Sequence, residues 1–309
     1  MARFILRRLS IIPFVLFLAN FLGFTYAFYV GPRQQIRGPY SSGLIQLPPF
    51  LPVYGEYFGR VLQLDLGVAP NNEPVISLIG RASAASAGLL AFSLALSILA
   101  GLALGFRAVR SNPPHISSWL AFLTTVGLAS PSFYIGILFI TLSILFLIRG
   151  PARLPLLPFQ GYGWDAHLVL PTLALMVRPT VQIAQVTSGM LVGELGKQYV
   201  TAARSFGHSM QSIRRRYAFR NIIAPVILTI AGSLRLLVAE LIIIERLFSW
   251  PGLGRLLSTT LVVTSHSDNH LHPPLVAALL TILAAVFLAA DLIASVLVRL
   301  VDPRYGTSG

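Results

Sequence analysis

Cysteine is absent from the 309-residue chain, which excludes disulfides, thiolate metal sites and cysteine nucleophiles. Charge is scarce too. Only 11% of residues are Asp, Glu, Lys or Arg, against about 25% in an ordinary soluble domain. So little charge cannot clothe a water-facing surface. With 55% hydrophobic residues and a mean hydropathy of +0.76, much of the exterior must face lipid. Acidic residues are few, 10 against 23 basic ones, and Lys197 is the single lysine. The net charge of +13 could suggest nucleic acid, but the arginines flank apolar runs instead of interleaving with aromatics, so no nucleic acid is expected.

Two catalytic devices are missing as well. A phosphate-cradling loop needs Gly-x-x-x-x-Gly-Lys-Ser/Thr. Lys197 follows Gly196, but Gln198 comes next and Leu191 stands where the first glycine belongs. No His-Glu-x-x-His helix and no nucleophile–base arrangement is present. The chain is not expected to be an enzyme or to bind ATP by that route; if ATP drives it, another polypeptide holds the nucleotide.

What the sequence does have is long apolar runs. At about 20 residues per span, they give six transmembrane helices: roughly 9–30, 83–108, 116–148, 168–192, 222–246 and 274–298. Arg3, Arg7 and Arg8 precede the first run, as in a signal peptide, but its length and lack of a cleavage motif point to a retained anchor. Residues 31–82 read as a polar insert rich in turn formers, and residues 83–298 as the core domain, followed by a short tail at 299–309. Ser130-Pro131 divides the long third region, because a residue before proline is pushed out of helical geometry. With the N-terminus inside, thirteen basic residues fall on the inner side and eight on the outer, where the loops are longer. The fold expected is an all-α integral membrane protein with both termini cytoplasmic, an extracytoplasmic insert after span one and a cytoplasmic helix between spans four and five.

Ionisable residues inside spans are functional hypotheses by default. Arg178, Gln182, Gln185 and Gly189 recur at helical spacing on one face of span four, and span five adds Arg235 and Glu240. They either line a translocation pathway or pair with one another and with a partner helix. Asp291 in the last span reads as a structural pair. His266, Asp268, His270 and His272 gather in the last outer loop; imidazole with carboxylate suits nickel, copper or zinc. No helix fixes their spacing, and they read as ordinary surface residues of a polar loop, so no metal site is expected.

The longest inner loop, 194–221, is moderately apolar and contains Gly207 and the run Arg214-Arg215-Arg216. It reads as two short helices with a turn between them, lying as a solvated loop or on anionic lipid. Its residues Tyr199-Val200-Thr201-Ala202-Ala203-Arg204, Gly207, Arg220-Asn221 and Pro225 resemble the "EAA" coupling loop of ABC importer permeases, more narrowly the dipeptide/oligopeptide/nickel family. Further motifs agree in order: Leu64-Asp65-Leu66-Gly67, Ser130-Pro131-Ser132-Phe133, Leu168-Val169-Leu170-Pro171, Phe248 to Arg255, and Asp302-Pro303-Arg304. Departures are Thr201 for the namesake glutamate, Gln198 for the usual acid before tyrosine, and no Pro-Gly-Asp-Pro after span one.

The resemblance implies a permease subunit forming half of a pathway for peptides or a related small solute. Gln198, Tyr199, Thr201, Ala202, Ala203, Arg204 and Gly207 would dock on the ATPase, and Trp250, Pro251 and Gly252 would belong to an outer gate. Implied partners are a second homologous permease, two cytoplasmic ATPase subunits that bind ATP and Mg, an extracytoplasmic solute-binding protein and membrane lipid. The rival is a stand-alone secondary transporter or channel using Arg178, Arg235, Glu240 and Asp291 as coupling charges. Such a carrier has no need of a docking loop.

Overall fold

A computed structural model describes residues 2–35, 47–111, 113–149, 157–262 and 271–301. Its helices are α1 (Ala2–Gln35), α2 (Phe50–Leu62), α3 (Val75–Ala108), α4 (Ser118–Ala129), α5 (Ser132–Arg149), α6 (Val169–Leu195), α7 (Gln198–Ser205), the single turn α8 (Met210–Ser212), α9 (Phe219–Leu247), α10 (Leu253–Leu261) and α11 (Pro273–Val301). A two-stranded hairpin, β1 (Val109–Ser111) with β2 (Pro114–Ile116), joins α3 to α4 in antiparallel register. Six of the described helical segments are long and apolar enough to cross a bilayer. The expected all-helical, six-span architecture is therefore present.

The chain divides into two compact units. One comprises residues 1–87 and 249–289. Here the reading of the insert gains a helix: between its turns, Phe50–Leu62 forms the amphipathic helix α2. Phe50, Tyr54 and Tyr57 recur every three to four residues and lay a ring face on α1. Phe24 stacks on Tyr57 at 4.8 Å, and Tyr54 meets Phe21 and Phe24 edge-on at 5.3 Å. Each such pair contributes about 0.5–1.5 kcal/mol beyond area burial. The many prolines hid this helix, because Pro52 falls in its first turn, where a missing N–H costs nothing.

Asn20, buried in the apolar middle of α1, is satisfied from two sides. Its Nδ2 donates to the Tyr57 hydroxyl and to Thr281 Oγ1, both at 3.2 Å. The span expected from 83 starts as a helix at Val75, since Val75, Ile79 and Ala82 pack on Leu253, Leu275 and Leu279.

The other unit comprises residues 88–248 and 290–309. Within it α6 is the most enclosed of the spans, packed along α9 with α4 and α5 against it. Ser93, Ser97, Gly101 and Gly105 form a four-residue repeat of small side chains on α3 that seats against α6. Ser97 Oγ donates to Met176 O over 3.3 Å, and a Cβ at Gly101 or Gly105 would lie 2.8 Å from Ile183 or Thr187 Cβ. Close backbone approach of this kind drives helix association where lipid removes the hydrophobic gain. The break between α4 and α5 falls at Ser130, extended (φ −94°, ψ 115°) before Pro131, as expected.

Candidate functional site

The inner loop folds as the sequence suggests. After α6 ends, Lys197 is extended and α7 begins at Gln198. The far end of α7 closes in a Schellman turn: His208 N–H donates to Ala203 O (3.1 Å) and Gly207 N–H to Arg204 O (2.9 Å). Gly207 has φ +80°, a conformation that L side chains resist. Beyond it, Ser209 caps α8 by accepting from the Ser212 amide at 3.3 Å. A π-helical stretch, Ile213–Ala218, then leads into α9.

α7 touches the rest of its unit on one side only. Val200 is buried in a cluster with Leu191, Leu195, Ile213 and Ile222. Gln198, Thr201, Ala202, Arg204, Ser205 and Gly207 are exposed, and Tyr199 and Ala203 are half-buried. Phe206, next to the turn, is 84% exposed. The helix is thus anchored through Val200, Tyr199 and Ala203, and its other face presents small and polar side chains beside a bare phenyl ring.

A carboxylate that motif reading passed over organises the base of α7. Glu194, buried at the end of α6, accepts from the Tyr199 hydroxyl and from Asn221 Nδ2, each at 3.0 Å, and pairs with Lys197 Nζ. It thus links α6, α7 and α9. Burial, followed by the adjacent Glu194 carboxylate, pushes the Tyr199 phenol up to about 12, so it remains a donor at neutral pH. The sequence signal was an acid five residues before a tyrosine, which on its own has no meaning.

The membrane charges resolve into two pairs. Arg178 on α6 pairs through Nη1 with Glu240 Oε1 on α9. Arg235 Nε lies 3.0 Å from Asp291 Oδ1 on α11, close enough for an ion pair but not aligned as a hydrogen bond. Of the two partners open to Glu240, Arg178 takes it. The pairs are not fully enclosed: side-chain exposure is 28% and 14% for the first, 40% and 31% for the second. Gln182 is half-buried, Gln185 is exposed, and Gly189 has open space where a Cβ would sit. The polar stripe therefore lies on a face of α6 left open within this chain.

The Trp250-Pro251-Gly252 segment holds a tight turn: Gly252 N–H donates to Trp250 O at 2.8 Å before α10 begins. Trp250 is fully buried, its indole donating to Ala85 O (3.0 Å), and Leu253 N–H donates to Ser86 Oγ (2.9 Å). His266, Asp268 and His270 lie outside the described residues. His272 is described; burial lowers its pKa, and no group of three metal-ligating side chains occurs among the described residues.

The family described as "Binding-protein-dependent transport system inner membrane component" matches residues 64–307. The chain belongs to this family. It is similar to the dipeptide transport system permease protein DppB of Lactococcus lactis subsp. cremoris, at 26% identity over 98% of this chain and 99% of that one. The glutathione transport system permease protein GsiC of Escherichia coli gives 26% over 98% of each. The oligopeptide transport system permease protein AppB of Bacillus subtilis gives 24% over 81% of this chain and 79% of its own length. The protein is thus a multi-pass inner-membrane permease subunit of an ABC importer and not itself catalytic. In this permease the loop motif divides in two: Gln198, Thr201, Ala202, Arg204 and Gly207 are exposed, whereas Val200 is buried and Tyr199 and Asn221 both reach the buried Glu194 carboxylate.

Proposed function

We propose that this permease forms half of the pathway of an ATP-driven importer of small peptides or related solutes. A second homologous permease supplies the other half, two ATPase subunits that bind ATP and Mg power it, and an extracytoplasmic binding protein delivers cargo. The observation carrying this reading is α7, a discrete helix closed by Gly207, exposed over Gln198, Thr201, Ala202, Arg204 and Phe206, and tied to both neighbouring spans through Glu194. A force on the exposed face of α7 passes by Tyr199 and Glu194 to the end of α6, and by Asn221 to α9. Those two spans hold Arg178, Gln182, Gln185, Arg235 and Glu240, the groups proposed to border the pathway.

The cargo class rests on relatives named for dipeptide, oligopeptide and glutathione transport. A zwitterionic or anionic peptide suits a path bordered by paired arginines and carboxylates. Trp250, Pro251 and Gly252 would form part of the outer gate.

The orientation has both termini, α7 and the hairpin on the cytoplasmic side, with α2 outside. Because the chain has no cysteine, single-cysteine variants report sidedness directly. In intact cells, Asn72→Cys should react with an impermeant maleimide and Arg204→Cys should not until the membrane is opened. Once opened, Arg204→Cys should be shielded by bound ATPase. Labelling of Arg204→Cys from outside would reverse the assignment.

A further inference from the structure

At the ends of α3 and of the π-helical stretch, a cavity of about 730 Å³ opens between the two elements. That size lies within the roughly 300–1,000 Å³ typical of ligand pockets. Its walls combine two chemistries. Arg107, Arg214 and Arg215 supply three guanidinium groups, and Ala103, Phe106 and Phe219 supply an apolar side. Phe106 and Phe219 rings pack at 5.0 Å, and Arg214 Nη2 donates to the Phe106 carbonyl, so the wall is braced across the two helices. Arg107 and Arg215 are exposed.

Among the described residues no acidic side chain lines the cavity beside this positive charge. Of ten acidic residues, Asp268 and Asp302 lie outside the described residues, and none of the other eight lines the cavity. Glu194, the acidic residue of the same inner loop, is already held by Lys197, Tyr199 and Asn221. Three guanidiniums brought together without a carboxylate favour an anion from elsewhere, and phosphate matches their fork of donors. The apolar wall sits beside the charges at the ends of two membrane spans, where a lipid has its phosphate and first methylenes. A π-helical segment in the wall agrees with the frequent placement of such segments at functional sites.

We propose that this cavity is a binding site for an anionic phospholipid, its phosphate held by Arg107, Arg214 and Arg215 and its acyl chains lying along Ala103, Phe106 and Phe219. A soluble phosphate compound shares the headgroup chemistry but gains nothing from the apolar wall. The site adjoins the segment between α7 and α9, so an occupied cavity braces the base of the coupling loop. Its place in the inner leaflet rests on the orientation proposed above; the binding itself does not.

The test is native mass spectrometry of the delipidated permease, alone and in the assembled transporter, offered phosphatidylglycerol, phosphatidylcholine or inorganic phosphate. The expected result is one phosphatidylglycerol retained per chain, at concentrations about tenfold below those needed for phosphatidylcholine. Arg107→Gln with Arg215→Gln should weaken retention by on the order of tenfold or more, at about 1 kcal/mol per basic residue. Arg107→Lys with Arg215→Lys should largely preserve it, and Arg149→Gln, at the end of α5, should leave it unchanged. The comparison of lipids on the unaltered protein needs no variant and survives any folding defect. Equal retention of the two lipids, or equal loss in Arg149→Gln, would overturn the site. Displacement by millimolar inorganic phosphate would assign it to a soluble ligand, and retention only without ATPase subunits would assign the face to the ATPase contact. None of these readouts depends on sidedness, so a failed orientation appears only in the cysteine labelling.

Discussion

The Tyr199 hydroxyl donates to Glu194 Oε2 over 3.0 Å, and Asn221 Nδ2 reaches the same oxygen from α9 at the same distance. One buried carboxylate oxygen therefore ties α7 to the spans on either side. Glu194→Ala would leave both donors without their acceptor, at about 1–3 kcal/mol for each stranded group. The expected outcome is a lower melting temperature and a loss of ATP-driven uptake larger than the loss of assembled complex. Lys197→Met, whose side chain is 57% exposed, should change stability by no more than about 1 kcal/mol. A double-mutant cycle between positions 194 and 221 should show coupling, because the two share one bond.

Arg178 and Glu240 must be tested together. Removing one partner strands the other, and breaking such a pair costs about 3–5 kcal/mol when it is buried, less at the partial exposure found here. Arg178→Leu alone is expected to reduce the yield of folded protein, while Arg178→Leu with Glu240→Leu should recover it. If the pair borders the pathway, the recovered double variant will assemble and transport poorly. Uptake restored along with yield would make the pair purely structural.

The small-residue stripe on α3 gives a packing test. Gly101→Leu places side-chain atoms where Ile183 Cβ and Thr180 O already stand, at 2.8 and 2.9 Å from the first added carbon. Overpacking of this kind costs about 1–3 kcal/mol. Gly193→Ala on α6 meets nothing within 4 Å and should be neutral or slightly stabilising. Melting of the detergent-solubilised protein distinguishes the two; equal melting temperatures would remove the stripe from the account of helix association.

Phe206 supplies a prediction for the partner surface. The ring is 84% exposed. Phe206→Ser should leave melting of the isolated permease unchanged and weaken ATPase association by at least tenfold, as expected for an aromatic anchor contributing about 2 kcal/mol. An unchanged association would place the docking contact elsewhere on α7.

Much of the fold was legible in the sequence because membrane spans are dictated by composition over 20 residues, and the Ser130-Pro131 break by one steric rule. Prolines misled at α2, where Pro52 sits in a first turn and the deciding fact is a tertiary one, the ring face offered by α1. The start of α3 at Val75 likewise depends on partners that arrive more than 170 residues later, Leu253 and Leu275. At the site, motifs located α7 and Gly207 because a helix, a turn and their spacing are local. Glu194 was invisible because its meaning lies in converging partners, one of them Asn221 on another helix. The pairing of Arg235 with Asp291 instead of Glu240 was open for the same reason: sequence gives depth along a span, not which neighbour faces it.

The most direct measurement is a mild-detergent purification of this permease from its native membrane, with identification of what co-purifies. The account expects a second permease and two ATPase subunits in stoichiometric amounts. The ATPases, but not the second permease, should be lost when residues 198–207 are scrambled and the melting of the remaining complex is unchanged. Recovery of the chain alone or as a simple homo-oligomer, or of ATPases that stay bound to the scrambled variant, would contradict the central claim that α7 is where ATP-driven motion enters the membrane.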